Sequence, residues 1–213
     1  MRNFYCDKTN SSLVIFAIFL LIFTSVPRIV FSLPGDPPFQ LPAREQLAKL
    51  RTAVIYTELG EIHFELFPEV APWHVANFKY RADKGLYKNS KFHIFEPNYL
   101  VQGGAENGDE KHQPVYWLPP EFSEMKHEPG ILGMARQPDS INPQRRSHGS
   151  QFHLILGYPA HMDSHYTIFG KLTKGMDVLQ RLRRNDIIYD IKVFVRPLKK
   201  SPAKGLPRRD NPQ

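Results

Sequence analysis

His161 and His165 stand four residues apart around Asp163, and among the nine histidines of the chain they form the tightest cluster that could hold a metal ion. That spacing suits a divalent cation when both rings project from one helical turn. Here Met162 to Tyr166 falls in a loop expected between two strands, and no third ligand converges on it, so no metal is assigned. Gly103-Gly104 invites comparison with a phosphate-binding loop, but it lacks the Lys-Ser/Thr and the following helix and reads as a turn. The single cysteine, Cys6, excludes a zinc ribbon and an internal disulfide framework.

The elements that must position any site are short. Ala53-Val-Ile-Tyr-Thr57 and Glu61-Ile-His-Phe-Glu-Leu66 are β-rich runs, the second alternating apolar and polar residues, with Leu59-Gly60 marking a hairpin turn between them. Pro72 opens a helix whose Val75, Phe78 and Ala82 share one face, and Gly85 closes it. Further strands are expected at 92–95, 99–102, 131–135, 151–156, 167–172 and 187–195, with a second helix at 176–182. Many short strands with two helices indicate a mainly β domain with an antiparallel sheet, closed or sandwiched.

At 213 residues, 41% hydrophobic and 23% charged, the chain is neither disordered nor collagenous, and it is not a polytopic membrane protein. Lys and Arg exceed Asp and Glu by 28 to 21. Much of that excess sits at the far end, where Lys199, Lys200, Lys204, Arg208 and Arg209 face only Asp210. Residues 198–213 read as a basic disordered tail. They carry no aromatic interleaving and no reading module, so no nucleic-acid partner is expected. At the other end, Arg2 and Lys8 precede an apolar run from Leu13 to Val26, interrupted by Pro27 and Arg28. That run is the length of a signal-peptide core and shorter than the roughly 20 residues of a spanning helix. Val30 and Ser32 fit the −3 and −1 positions of a cleavage site. Residues 1–32 are therefore read as an export signal, with a periplasmic or extracellular destination. An uncleaved membrane anchor is the alternative. Residues 33–51, holding Pro34, Pro37, Pro38 and Pro42, read as an extended linker before a domain at 52–197.

Four segments then resemble, in order, the cyclophilins, the cyclosporin-binding peptidyl-prolyl cis-trans isomerases. They are Glu65-Leu-Phe-Pro-Glu-Val-Ala-Pro-Trp-His-Val-Ala-Asn-Phe78; Phe92-His-Ile-Phe-Glu-Pro-Asn-Tyr-Leu-Val-Gln-Gly-Gly104, similar to the signature F-H-R-x-x-P-x-F-x-x-Q-G-G; Gly130-Ile-Leu-Gly-Met-Ala-Arg136 with Gly149-Ser-Gln-Phe152; and Met162-Asp-Ser-His-Tyr-Thr-Ile-Phe-Gly170 with Gly175-Met-Asp-Val178. Asn142-Pro143 and the segment Ser147 to Phe152 look most like the bacterial branch. The resemblance implies a closed eight-stranded antiparallel β-barrel capped by two helices, acting as a monomer on proline-containing polypeptides without a cofactor. It assigns His93, Gln102 and Gln151 to the catalytic set. It assigns Tyr99, Leu100, Ala135, Arg136, Phe152, His153, Met162 and Tyr166 to substrate contact.

Rotation about an X–Pro bond crosses a barrier of about 18–20 kcal/mol and takes tens to hundreds of seconds unaided. It needs no nucleophile. A catalyst must hold the ring, anchor the flanking carbonyls and aim a donor at the proline nitrogen, whose lone pair returns in the twisted state. The family assigns that donor role to an arginine directly after the signature histidine. Here the position is Ile94, which has no donor. Two readings follow: an isomerase with reduced activity, or a proline-peptide binding module that keeps the groove without the catalysis. His153 stands where a second aromatic ring is usual and makes the pocket more polar. His161 replaces the tryptophan of cyclosporin-sensitive members, which implies weak cyclosporin binding.

Overall fold

The computed structural model describes residues 35–106 and 114–196. The expected export signal at 1–32 and the basic tail at 198–213 lie outside the described residues. Among the described residues eleven strands and three α-helices are formed, besides a 3-10 turn at Ala160–Met162: α1 (Arg44–Leu47), β1 (Leu50–Thr57), β2 (Gly60–Leu66), α2 (Pro72–Asp83), β3 (Ser90–Lys91), β4 (Ile94–Glu96), β5 (Leu100–Gly103), β6 (Trp117–Leu118), β7 (Ile131–Met134), β8 (Ser147–His148), β9 (Phe152–Ile155), β10 (Ile168–Lys174), α3 (Met176–Arg181) and β11 (Ile187–Val195). Nine strands make one strongly curled antiparallel sheet in the order β3-β11-β1-β2-β10-β7-β9-β5-β4, and β6 pairs with β8 separately. The two ends of the ladder are consecutive on the chain, separated only by Phe92 and His93. Phe92 continues the contact with the β11 side through its N–H to Asp186 O (3.0 Å) and its carbonyl to Asn185 N (2.7 Å), while His93 N–H reaches Gln102 O on β5 (2.9 Å). Among the described residues no helix is long and apolar enough to cross a membrane.

Period-two patterning decides which residues enter the core. In β2 the apolar Ile62, Phe64 and Leu66 are fully buried and Glu61 and Glu65 are exposed. The hairpin expected at Leu59-Gly60 is closed by register pairing of Thr57 with Gly60. Helix α2 begins at Pro72, as its sequence indicates, and buries Val75, Phe78 and Ala82. Ala71 supplies no side-chain cap; instead the carboxylate of Glu121 accepts the N–H groups of Trp73 (3.1 Å) and His74 (3.2 Å). A negative charge at the helix start also suits the helix dipole.

The segment read as an extended linker is packed onto this domain. Leu47 and Leu50 are buried, Phe39 stacks on Tyr80 at 5.2 Å between ring centroids, and Gly35 bridges to Tyr116. Burial of these apolar residues between the prolines draws the segment in.

Candidate active site

Strand alternation gives the sheet two differently used faces. On β5, Val101 joins the main core while Leu100 and Gln102 point the other way; on β9, Phe152 and Leu154 point inward while His153 and Ile155 oppose them. Leu100, Gln102 and His153 of that outward set line a cavity of about 300 Å³. Ile94, Gln102, His153 and Gly133 are successive register partners across β4, β5, β9 and β7, so they form one row beneath the cavity. Gly133 leaves room for its neighbour: an added Cβ would collide with Nε2 of His153.

Leu100, Met162 and the partly buried Ile94, Tyr99 and Tyr166 belong to one apolar cluster, which builds the greasy wall of the cavity. Polar edges come from three directions. Gln102 Nε2 donates to Gln151 Oε1 at 2.8 Å, which fixes both amides. Tyr99 O–H lies 3.1 Å from His161 Nε2, with the two rings stacked. Arg136 donates Nε to His165 O (2.8 Å) and Nη1 to Gln137 O (2.9 Å) and to Asp139 Oδ1 (2.6 Å), and its guanidinium lies 4.5 Å over the Tyr166 ring. Those commitments hold Arg136 as a wall rather than leaving it to take over the role of the family arginine. Hydrogen bonds from Arg136 and Arg145 also keep the Asp139 carboxyl below its ordinary pKa.

Burial holds the histidine at the floor, His153, in its neutral form. Burial, reinforced by nearby His127, pushes the His153 pKa down to about 3, and its Nε2 finds no hydrogen-bond partner among the described residues. Burial also lowers His127, outweighing the opposite pull of Asp163, whose Oδ1 lies 3.0 Å from His127 Nδ1. Asp163, the centre of the candidate metal cluster, thus faces His127 and Lys126, while His161 turns to Tyr99 and His165 Nδ1 to the Asp163 carbonyl.

Of the residues expected to touch substrate, Tyr99, Leu100, Ala135, Arg136, His153, Met162 and Tyr166 come together at the cavity, with Gln102 and Gln151 of the catalytic set. Phe152 does not: it is fully buried at the centre of the aromatic core, edge-on to Phe78 and Tyr87 at 5.6 Å from each. Its place one residue before the outward-facing His153 requires that inward direction. His93 is buried and does not line the cavity, its Nε2 lying 3.4 Å from Gln102 Nε2. Glu96, Gln137 and His148 also line the cavity. Glu96 and His148 fall inside the quoted segments at positions to which the resemblance assigns no role, and Gln137 falls outside those segments.

The fold and site define a mainly β protein with a strongly curled antiparallel sheet and a small cavity of mixed lining, edged by a hydrogen-bonded amide pair. The chain belongs to the cyclophilin family: the model described as "Cyclophilin type peptidyl-prolyl cis-trans isomerase/CLD" matches residues 52–200. Relatives include peptidyl-prolyl cis-trans isomerase B of Bacillus subtilis, 32% identical over 68% of this chain and 99% of its own length. A peptidyl-prolyl cis-trans isomerase of Helicobacter pylori is 34% identical over 69% of this chain and 89% of its own. Both sources agree with the bacterial-like character of the motifs. Among solved structures, a cyclophilin-type isomerase of Cryptosporidium parvum superposes with a TM-score of 0.62 at 28% identity, covering 69% of this chain and 99% of that one. The same Cryptosporidium protein was also solved in the presence of the dipeptide ala-pro (TM-score 0.59, 29% identity, 68% and 99% coverage). The chain is thus a peptidyl-prolyl cis-trans isomerase by family.

Proposed function

We propose that this chain speeds cis–trans interconversion of X–Pro bonds by seating the proline ring against Tyr99, Leu100 and Met162 and anchoring the flanking peptide groups on Gln102 and Gln151. The observation that carries this reading is the Gln102–Gln151 hydrogen bond at the edge of a cavity of about 300 Å³ whose lining is part apolar and part polar. A preset amide pair loses little freedom when the twisted peptide forms, so it favours that state over the planar ones. The relative solved in the presence of ala-pro supports a proline peptide as the ligand. Ile94 provides no donor to the proline nitrogen; a missing donor of this kind costs about 3–4 kcal/mol, on the order of 10²–10³ in rate. The proposed activity is therefore real and low.

Exchange NMR on a short X–Pro peptide, with excess purified protein, tests this reading. Line broadening from accelerated interconversion supports it. Peptide shifts that report binding while the exchange rate stays at its unaided value would establish the binding-module reading instead.

Two coarser features extend the proposal. We infer that β3 and β4 act as one strand bent at Phe92-His93. Counting them together turns the nine-member ladder into eight strands that return on themselves, a closed barrel. Export is proposed from the pattern of residues 1–32 alone; mass spectrometry of the mature N-terminus checks it, with Leu33 first expected and an intact Met1 contradicting cleavage.

A further inference from the structure

We propose that His148 is a positioning residue that sets the direction of Gln151, an inference that rests on the role given to Gln151 above. His148 ends β8 and is buried. Its Nδ1 lies 3.1 Å from the Ser150 backbone N, 3.2 Å from the Gln151 backbone N and 3.1 Å from Ser150 Oγ. The two backbone groups can only donate, so Nδ1 is the bare nitrogen, its ring proton sits on Nε2, and the Ser150 hydroxyl donates as well. One imidazole nitrogen thereby receives the polar hydrogens of Ser150 and the backbone N–H of Gln151 at the end of the turn.

The rest of the turn is clamped from its other sides. His148 N–H donates to Ala135 O (2.8 Å) and Ala135 N–H donates to Gln151 O (2.9 Å). Gly149 N–H donates to Tyr116 O (3.1 Å), and Gly149 O accepts from Asn77 Nδ2 (3.0 Å). A Cβ at position 149 would stand 2.6 Å from the Tyr116 ring, so the backbone passes there only as glycine. Inside this frame the imidazole is the piece that receives the N–H of Gln151 itself. Removing the acceptor leaves two buried donors without it, and the turn must move to satisfy them. Gln151 then loses its alignment with Gln102.

The geometry also identifies a substitute. Nδ1 of histidine and Oδ1 of asparagine are separated from Cα by the same two atoms, and an asparagine oxygen commonly accepts the N–H two residues ahead. H148N therefore keeps the acceptor while discarding the ring. H148L keeps bulk and discards the acceptor, and H148Q carries its oxygen one bond too far.

The test measures the exchange rate and the peptide Kd for the wild type, H148L and H148N in the full chain, together with backbone amide hydrogen exchange at Ser150 and Gln151. H148L is expected to slow isomerisation by about tenfold or more, as small misalignments do, with the peptide Kd within about twofold of wild type. H148N is expected to recover the rate to within about threefold. H148Q replaces H148L if the latter does not fold. A wild-type rate in H148L or H148Q, or an H148N as slow as they are, overturns the proposal. If the wild type itself shows no acceleration, the isomerase reading fails, and amide exchange still decides this one: protection at Ser150 and Gln151 kept in H148N and lost in H148L or H148Q supports it, and equal protection in all overturns it.

Discussion

Ile94 lies directly opposite Gln102 in the β4–β5 ladder, so the residue at the family's arginine position and the first anchoring amide share one face of the sheet. Directly opposed residues bring their Cβ atoms within about 5 Å. A donor placed at position 94 would reach the same peptide that Gln102 is proposed to hold. The aliphatic side chain found there contributes apolar wall and nothing to the developing lone pair.

The two glutamines act as a unit. Q102L and Q151L are each expected to lower kcat/KM by about tenfold, the order of one lost anchoring hydrogen bond to a transition state. Because each amide holds the other, the double variant is expected to be no more than about threefold slower than the slower single variant. Exchange NMR on all four proteins measures the coupling, and strictly multiplicative losses would show two independent anchors.

Acid should weaken the fold through its buried histidines. Burial lowers the pKa of His74, His127 and His153 in the folded state, the last to about 3. A depressed histidine contributes stability above its unfolded value near 6.5, and that contribution is lost as pH falls from 6.5 toward the folded value. For His153 the loss at pH 5 is about 2 kcal/mol, at 1.36 kcal/mol per unit. Asp139 and Asp163 are also lowered, but their contributions persist until pH falls below the ordinary carboxylate range near 4 and so do not enter this window. Urea midpoints at pH 7 and pH 5 should therefore separate, and H153F should narrow the gap; an unchanged gap in H153F would count against a buried neutral His153.

Arg81 ties α2 to the segments around the site. Its side chain is buried, its Nη2 pairs with Glu106 at 2.7 Å, its Nη1 donates to Tyr116 O–H (3.3 Å), and its guanidinium lies 5.3 Å from the Tyr87 ring centroid. Tyr116 in turn donates to Asn77 Oδ1 (2.6 Å), the residue that holds Gly149. R81A is expected to cost about 3 kcal/mol, the lower end for breaking a buried ion pair because Glu106 keeps some contact with water. Urea denaturation measures it, and a loss under about 1 kcal/mol would contradict the network.

Cyclosporin binding should be weak and recoverable. His161 is hydrogen-bonded to Tyr99, a residue of the cavity wall, and stacks on its ring rather than presenting an indole. H161W is expected to tighten cyclosporin binding by about tenfold or more, the order expected of an added aromatic contact with its own donor. Titration calorimetry on both proteins checks this, and equal affinities would place the determinant elsewhere.

What the sequence disclosed followed the range of each signal. Alternation in Glu61 to Leu66 and the proline at position 72 are local, and both elements formed where expected. The two-residue strands β3, β6 and β8 span a single period of strand alternation, too short for any repeat to show, so nothing marked them. The cap on α2 comes from Glu121, 47 residues beyond His74, a contact that only the tertiary fold creates. Phe152 was assigned to the cavity with its neighbours, although the period of two that turns His153 outward turns Phe152 into the core. His148 was visible as a letter in Ser-His-Gly-Ser-Gln-Phe, while its role depends on where one ring nitrogen points.

The most direct measurement of the account compares exchange rates of one X–Pro peptide with the wild type and with I94R. The wild type should accelerate interconversion weakly, and I94R should raise the rate by on the order of 10²-fold or more at similar peptide affinity, because the variant restores a donor beside Gln102. A rate that does not rise in I94R, with peptide still bound, would contradict the claim that the missing donor at position 94 limits this enzyme.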